Sequence, residues 1–148
     1  MIRQVSLTKV LTIDYLAMLG WLFPVITWGL YFLLVFTNRV AAGLSILLII
    51  FILITILSAL LLFWRMHIFY TVFGDGQETN ATINNITFFR DRGRVDYVYN
   101  FQGQRYAAYN AVQKVKQTRA LNIGDMVVVL VDPGNPKRAF IRDLYMKA

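Results

Sequence analysis

The 148 residues suffice for one ordinary domain, but 57% are hydrophobic, only 16% are charged and the mean hydropathy is +0.53, against about 25% charged residues in soluble domains. With no cysteine and a single histidine, His67, the chain excludes disulfides, thiolate chemistry, Cys-ligated zinc, iron–sulfur clusters and a multi-histidine metal site within one chain. The net charge of +7, on so apolar a chain, points to membrane orientation and attraction to anionic lipid rather than to nucleic acid.

In chain order, Tyr15 to Thr37 and then Val40 to Trp64 are two runs free of charge, separated by little more than Asn38 and Arg39. At about 1.5 Å per residue, each run exceeds a hydrocarbon core of about 30 Å. A connection this short turns the second helix back antiparallel, so the prediction is a transmembrane hairpin. Arg3 and Lys9 resemble the basic start of a signal peptide, but the apolar run is too long and lacks a small-x-small cleavage site. Tyr15 and Trp21 at the start of the first span, and Trp64 and Tyr70 at the exit of the second, are the expected interface anchors. Pro24 removes one backbone hydrogen bond and is expected to kink its helix. Thr27, Ser45, Thr55 and Ser58 are expected to bond within their helices or to a neighbour, with Thr55-x-x-x-Ala59 as a small-residue packing face. Arg3, Lys9 and Arg65 outnumber the lone Arg39 at the hairpin tip, which predicts both termini in the cytoplasm of a multi-pass cell-membrane protein. No ionisable group lies within either span, which argues against a channel, pump or haem carrier.

After Tyr70 the period changes. Gly74-Asp75-Gly76 reads as a linker and Thr79 to Phe89 as a strand, followed by a turn at Asp91-Arg92-Gly93-Arg94. Val95, Tyr97, Tyr99 and Phe101 alternate with Asp96, Val98 and Asn100, the clearest period-two stretch in the chain. Gln102-Gly103-Gln104 is a second hairpin turn before a strand from Arg105 to about Val112. Lys114 to Ala120 is the longest loop. Strands at Met126–Val131 and Ala139–Arg142 flank a turn at Asp132-Pro133-Gly134-Asn135-Pro136. The predicted architecture is thus an α+β membrane protein: a two-helix hairpin over 1–70, with spans at about 15–37 and 40–64, then a small antiparallel β barrel or sandwich over 71–148. About five strands give it OB-like or SH3-like size, and barrel closure would protect its edges.

The C-terminal motifs carry a resemblance. Gly76 with Ala81-Thr82-Ile83, Tyr97-Val98-Tyr99-Asn100-Phe101 and Gly103-Gln104-Arg105-Tyr106 are followed by Gly124-Asp125-Met126-Val127-Val128-Val129 and then Asp132-Pro133-Gly134-Asn135-Pro136 with Ala139. In this order they resemble the membrane-associated domain-of-unknown-function family 3592 over roughly the last 75 residues. Leu130-Val131 departs from the pattern, since the family tends to carry an aromatic residue before Asp-Pro. The resemblance implies a small β domain tethered to transmembrane helices and implies no activity.

No catalytic motif stands out: there is no G-x-S-x-G, P-loop, G-x-G-x-x-G or H-E-x-x-H. His67 reads as an interfacial residue, and Asp125 and Asp132 as turn residues rather than members of a Ca²⁺ cluster with Asp143. The sequons at Asn80 and Asn85 read as strand residues. No cofactor is expected, and the chain is not expected to be an enzyme. Arg65, Arg90, Arg92, Arg94, Lys114, Lys116 and Arg119 are the candidate contacts to anionic lipid headgroups or a protein partner; each such charge adds about 1 kcal/mol of attraction to an anionic leaflet. The function expected is a non-catalytic accessory subunit of an oligomeric membrane assembly, its hairpin packed on other membrane subunits. The alternative is a membrane-tethered regulatory or quality-control factor whose β domain binds a protein transiently.

Overall fold

The computed structural model describes residues 5–37, 39 and 46–146. Ser6 opens the first helix, α1 (Leu7–Ile13), by accepting the Lys9 backbone N–H on its hydroxyl. One extended residue, Asp14, separates α1 from α2 (Tyr15–Phe36) and caps α2 by accepting the Ala17 N–H at 2.8 Å. The α2 helix continues unbroken through Pro24. The third helix, α3 (Ile46–Asp75), runs well past the expected end at Trp64. The start of the second predicted span, Arg3 and Ser45 lie outside the described residues.

Along α2 the buried positions Ala17, Gly20, Thr27 and Tyr31, spaced three, seven and four residues apart, form one stripe. It meets Phe51, Thr55, Ser58 and Leu62 of α3 in antiparallel order. Gly20 is required there, because a Cβ would sit 2.9 Å from the Leu62 Cβ. The Trp28 indole donates to Thr55 Oγ1 at 2.9 Å, while Thr55 donates to its own Phe51 carbonyl and Thr27 to Phe23. Ala59 faces outward, so the expected Thr55–Ala59 packing face is replaced by Thr55 and Ser58. Both helices are long and apolar enough to cross a membrane, with only 17% and 11% of their most apolar windows buried.

The helix passes into the sheet through one residue, Gly76, and the expected three-residue linker does not exist. A Cβ there would meet the Val72 carbonyl at 2.1 Å and the Val131 carbonyl at 3.2 Å, so only glycine fits so sharp a helix-to-strand junction. Strands β1 (Gln77–Phe89), β2 (Arg92–Phe101), β3 (Gln104–Gln113), β4 (Met126–Asp132) and β5 (Asn135–Ile141) form one antiparallel sheet in the order β3-β2-β1-β4-β5. Two short helices complete the chain: α4 (Lys116–Arg119) within the expected loop, and α5 (Arg142–Tyr145).

The sheet curls into a nearly closed barrel. Across the seam between its outer strands, the Asn110 amide of β3 mimics a strand backbone: it donates to the Ala139 carbonyl and accepts the Ile141 N–H, both at 3.1 Å. Val95, Tyr97, Tyr99 and Phe101 all point inward, as their alternation predicts. Two turns differ in detail from expectation. The β1–β2 turn is Arg90-Asp91, with Arg90 at φ 56°, whereas Gly93 lies in β2 opposite Phe88, where a Cβ would strike the Phe88 ring. The β2–β3 turn is Gln102-Gly103 at φ 50° and 76°, the two positive values of a type I′ hairpin.

One hydrophobic core unites helices and barrel. Val10 and Ile13 of α1, Ile68, Phe69, Val72 and Phe73 of α3, and Leu144 and Tyr145 of α5 share one buried core with the inward-facing residues of the strands. The Phe69 ring stacks on Phe140 at 4.4 Å between centroids and contacts Tyr145 at 4.8 Å. The lower turns of α3 are therefore a wall of the β domain.

Candidate functional site

Two charged constellations lie at the junction of helices and barrel. The first is buried. Asp14 is fully buried, and its carboxylate takes two bonds from Arg65, Nε to Oδ1 at 3.0 Å and a second guanidinium nitrogen to Oδ2 at 2.6 Å. The Arg65 guanidinium also lies 5.1 Å from the Phe69 ring and 5.0 Å from the Phe140 ring. Such a bidentate, ring-stacked guanidinium locks geometry well. With its side chain 12% exposed, Arg65 is withdrawn from the expected lipid or partner contacts and is a joint between α1, α2, α3 and β5 instead. Next to it, the Asp14 backbone pairs antiparallel with Val112 of β3.

The Tyr hydroxyls around this joint are held protonated. Burial, and next the neighbouring Tyr99, push Tyr97 well above its ordinary value, and its hydroxyl donates to Ala139 at 2.7 Å. Burial together with the Asp14 carboxylate does the same to Tyr145. Tyr99, bonded to the Pro136 carbonyl, is raised to about 12 by burial and then by Tyr106.

The second constellation is exposed and sits where the β1–β2 hairpin tip leans on α2. Phe89 stands 60% exposed with the Arg90 and Arg92 guanidinium carbons 5.5 and 5.6 Å from its ring. Lys114 joins the tip, its backbone N–H donating to the Asp91 carbonyl and its ammonium 5.8 Å from the Phe88 ring. Opposite stand Tyr15, Met18 and Leu22 of α2, across a cleft of about 490 Å³. Lys116 and Arg119 follow on α4, both exposed.

Arg94 does not line this cleft, although with Phe89 and Arg92 it borders a separate cavity of about 480 Å³. It turns along the outer face of β2, pairs with Asp96 at 2.7 Å and covers Tyr109 at 4.0 Å. Among the expected anchors, Tyr15 lines the cleft, Trp21 donates its indole N–H to the Leu11 carbonyl at 3.2 Å, and Trp64 and Tyr70 are exposed on α3.

Asp125 and Asp132 serve their turns, accepting the Asn122 and Gly134 N–H groups. Among the described residues no three His, Asp or Glu side chains gather in a way that would hold a metal. Sequence reasoning missed Asp14 and Asn110. The signal for Asp14 was present: one acid just before the first apolar run and one base just after the second lie at the same end of an antiparallel hairpin.

No curated protein and no solved structure matches the chain. Residues 75–144, from the last residue of α3 into α5, match the model of the family described as Domain of unknown function (DUF3592), the same family that the motifs of this β domain resemble.

Proposed function

We propose that the chain is a non-catalytic accessory subunit of a larger membrane protein complex. In this reading α2 and α3 cross the bilayer and pack on partner helices, and the basic β domain docks at the membrane face with both termini cytoplasmic. The observation that carries it is the outer surface of the helix pair. The helices contact each other along one narrow stripe and leave Phe32, Phe36, Leu57 and Phe63 at 63, 88, 66 and 76% exposure. A water-soluble monomer rarely shows an apolar patch beyond a few hundred Å², so this surface calls for lipid or other helices. A second support is the shared core. It holds the barrel at a set angle to the helices, which suits docking on a fixed neighbour.

The regulatory reading draws on the Arg90–Arg92 tip, which is exposed and without a carboxylate partner among the described ion pairs. One experiment separates the two. Native membranes are extracted in mild detergent through a C-terminal tag, and co-eluting chains are identified at low and high salt. Stoichiometric partners surviving both salts are expected. Partners lost at high salt would favour the regulator, and a bare monomer would refute the subunit reading.

A further inference from the structure

The cleft between α2 and the β1–β2 turn has two chemically different walls. One belongs to α2: Tyr15 at the start of the apolar run, then Met18 and Leu22 along it. Leu22 lies seven residues beyond Tyr15, about 10 Å further along the helix axis, so this wall runs from the expected interface level into the apolar zone.

The other wall is cationic. Arg65, Arg94, Arg138 and Arg142 each hold a carboxylate, whereas Arg90 and Arg92 hold none among the described ion pairs. Their guanidinium groups flank the exposed Phe89 ring instead. With Lys114 adjoining, the tip sets three cations against the single carboxylate of Asp91, which also lines the cleft.

Gln113 of β3, paired with Arg92 across the strands, lines the same cleft and is 9% exposed, yet its Nε2 has no acceptor. Buried amide donors are nearly always bonded. That nitrogen is enclosed rather than open to the cleft, so the cationic groups that a ligand in the cleft meets are those of Arg90 and Arg92.

We infer that this cleft binds one anionic glycerophospholipid, its headgroup phosphate held by Arg90 and Arg92 and one acyl chain lying along Met18 and Leu22. Guanidinium groups match phosphate oxygens in bidentate geometry, and an aromatic ring between cations suits the headgroup layer. The apolar wall decides for a lipid over free phosphate, because an inorganic anion would leave Met18 and Leu22 without a role. The inference rests on the reading that α2 and α3 cross a membrane, and it goes further by placing one lipid class at one cleft.

The test uses the full chain purified in detergent. Native mass spectrometry counts retained dioleoylphosphatidylglycerol, dioleoylphosphatidylcholine and, separately, inorganic phosphate. The expected result is one phosphatidylglycerol retained at least tenfold in preference to phosphatidylcholine. The double variant Arg90→Gln/Arg92→Gln should lose that preference, and Lys137→Gln, a charge loss elsewhere on the barrel, should keep it. Equal retention of the two lipids by the wild type, or an unaltered preference in the double variant, would overturn the site. Displacement of the lipid by phosphate alone would overturn the lipid assignment. Alkaline carbonate extraction of membranes carrying the same chain is the companion measurement. Release of the chain would refute the spanning reading, whereas a retained chain with no lipid preference would refute this site alone.

Discussion

The Asp14–Arg65 pair offers the sharpest test of how helices and barrel are joined. Replacing Arg65 by Met keeps an apolar stem against Phe69 and Phe140 but leaves the fully buried Asp14 carboxylate with the Ala17 N–H as its remaining hydrogen-bond donor. Removing one partner of a buried pair costs about 3–5 kcal/mol, because the surviving charge loses its counter-ion without regaining water. Changing Asp14 to Asn as well removes that charge and retains an oxygen to cap α2. Replacing both members of a buried pair by neutral groups is often close to neutral, so the double variant should lose about 1–2 kcal/mol.

Adding Asp14→Asn should thus return about 1–4 kcal/mol to Arg65→Met, above the few tenths expected of independent sites. Thermal unfolding in detergent, followed by tryptophan fluorescence, reads it directly. At about 2–4 °C per kcal/mol for a chain near this length, Arg65→Met should melt roughly 10 °C lower than the wild type, and Asp14→Asn/Arg65→Met should recover more than half of that loss. Should Arg65→Met cost less than about 1 kcal/mol, or the double variant melt below it, the joint is not held by this pair and the reasoning fails.

Other elements make further demands. Asn110→Leu orphans the Ile141 N–H but not the Ala139 carbonyl, which still accepts from Tyr97. The expected loss is therefore that of one buried donor, about 1–3 kcal/mol, with hydrogen exchange accelerated first at the Ile141 amide. Gly76→Ala places a methyl group against two backbone carbonyls that cannot rotate away; a loss of about 3 kcal/mol or more is expected, and chemical denaturation checks it. Raised folded-state values for Tyr97, Tyr99 and Tyr145 set the sign at alkaline pH. Above the unfolded value of 10 and up to about 12 for Tyr99, the unfolded chain releases protons that the folded one retains. Stability is thus full below pH 10 and falls as the pH rises from there; unfolding monitored by tyrosinate absorbance should show the folded state titrating later than the denatured one.

How legible this was in the sequence depended on period and on reach. The barrel strand Val95–Phe101 was readable because a strictly alternating strand has one inward face, and the two apolar runs because their length has few other uses. The end of α3 was not. From Arg65 to Asp75 polar residues interrupt the apolar run, and glycines at 74 and 76 imitate a linker. The helix is kept by long-range packing of Ile68, Phe69, Val72 and Phe73 against the barrel, which no local window contains. The tip was misplaced for a similar reason. Gly93 looked like the turn residue, yet it is needed for the close approach of Phe88, and Arg90 takes the positive φ in its place. Of the seven basic candidates, charge alone could not separate Arg65 and Arg94, which have acidic partners, from Arg90 and Arg92, which have none; pairing is a property of the folded chain.

That separation ties the buried joint to the exposed rim. A barrel on a loose linker would leave Arg90 and Arg92 at no particular height beside α2. Here the Asp14–Val112 backbone pairing sets β3 against the start of α2, the Arg65 guanidinium ties Asp14 to α3 and β5, and Gly76 joins α3 to β1 through a single residue. Gln113 is the next residue of β3 after Val112, and Arg92 pairs with it. The cleft is thus one residue from the joint in sequence: Tyr15 follows Asp14 and Gln113 follows Val112, and both line it. Weakening the joint should widen the cleft before it unfolds the barrel, because the seam closed by Asn110 lies on the other side of Val112. On this argument Arg65→Met, at a temperature where its barrel is still folded, should already have lost the phosphatidylglycerol preference that Arg90 and Arg92 confer. A folded Arg65→Met chain with undiminished preference would show that the tip is positioned by its own hairpin and not by the buried pair.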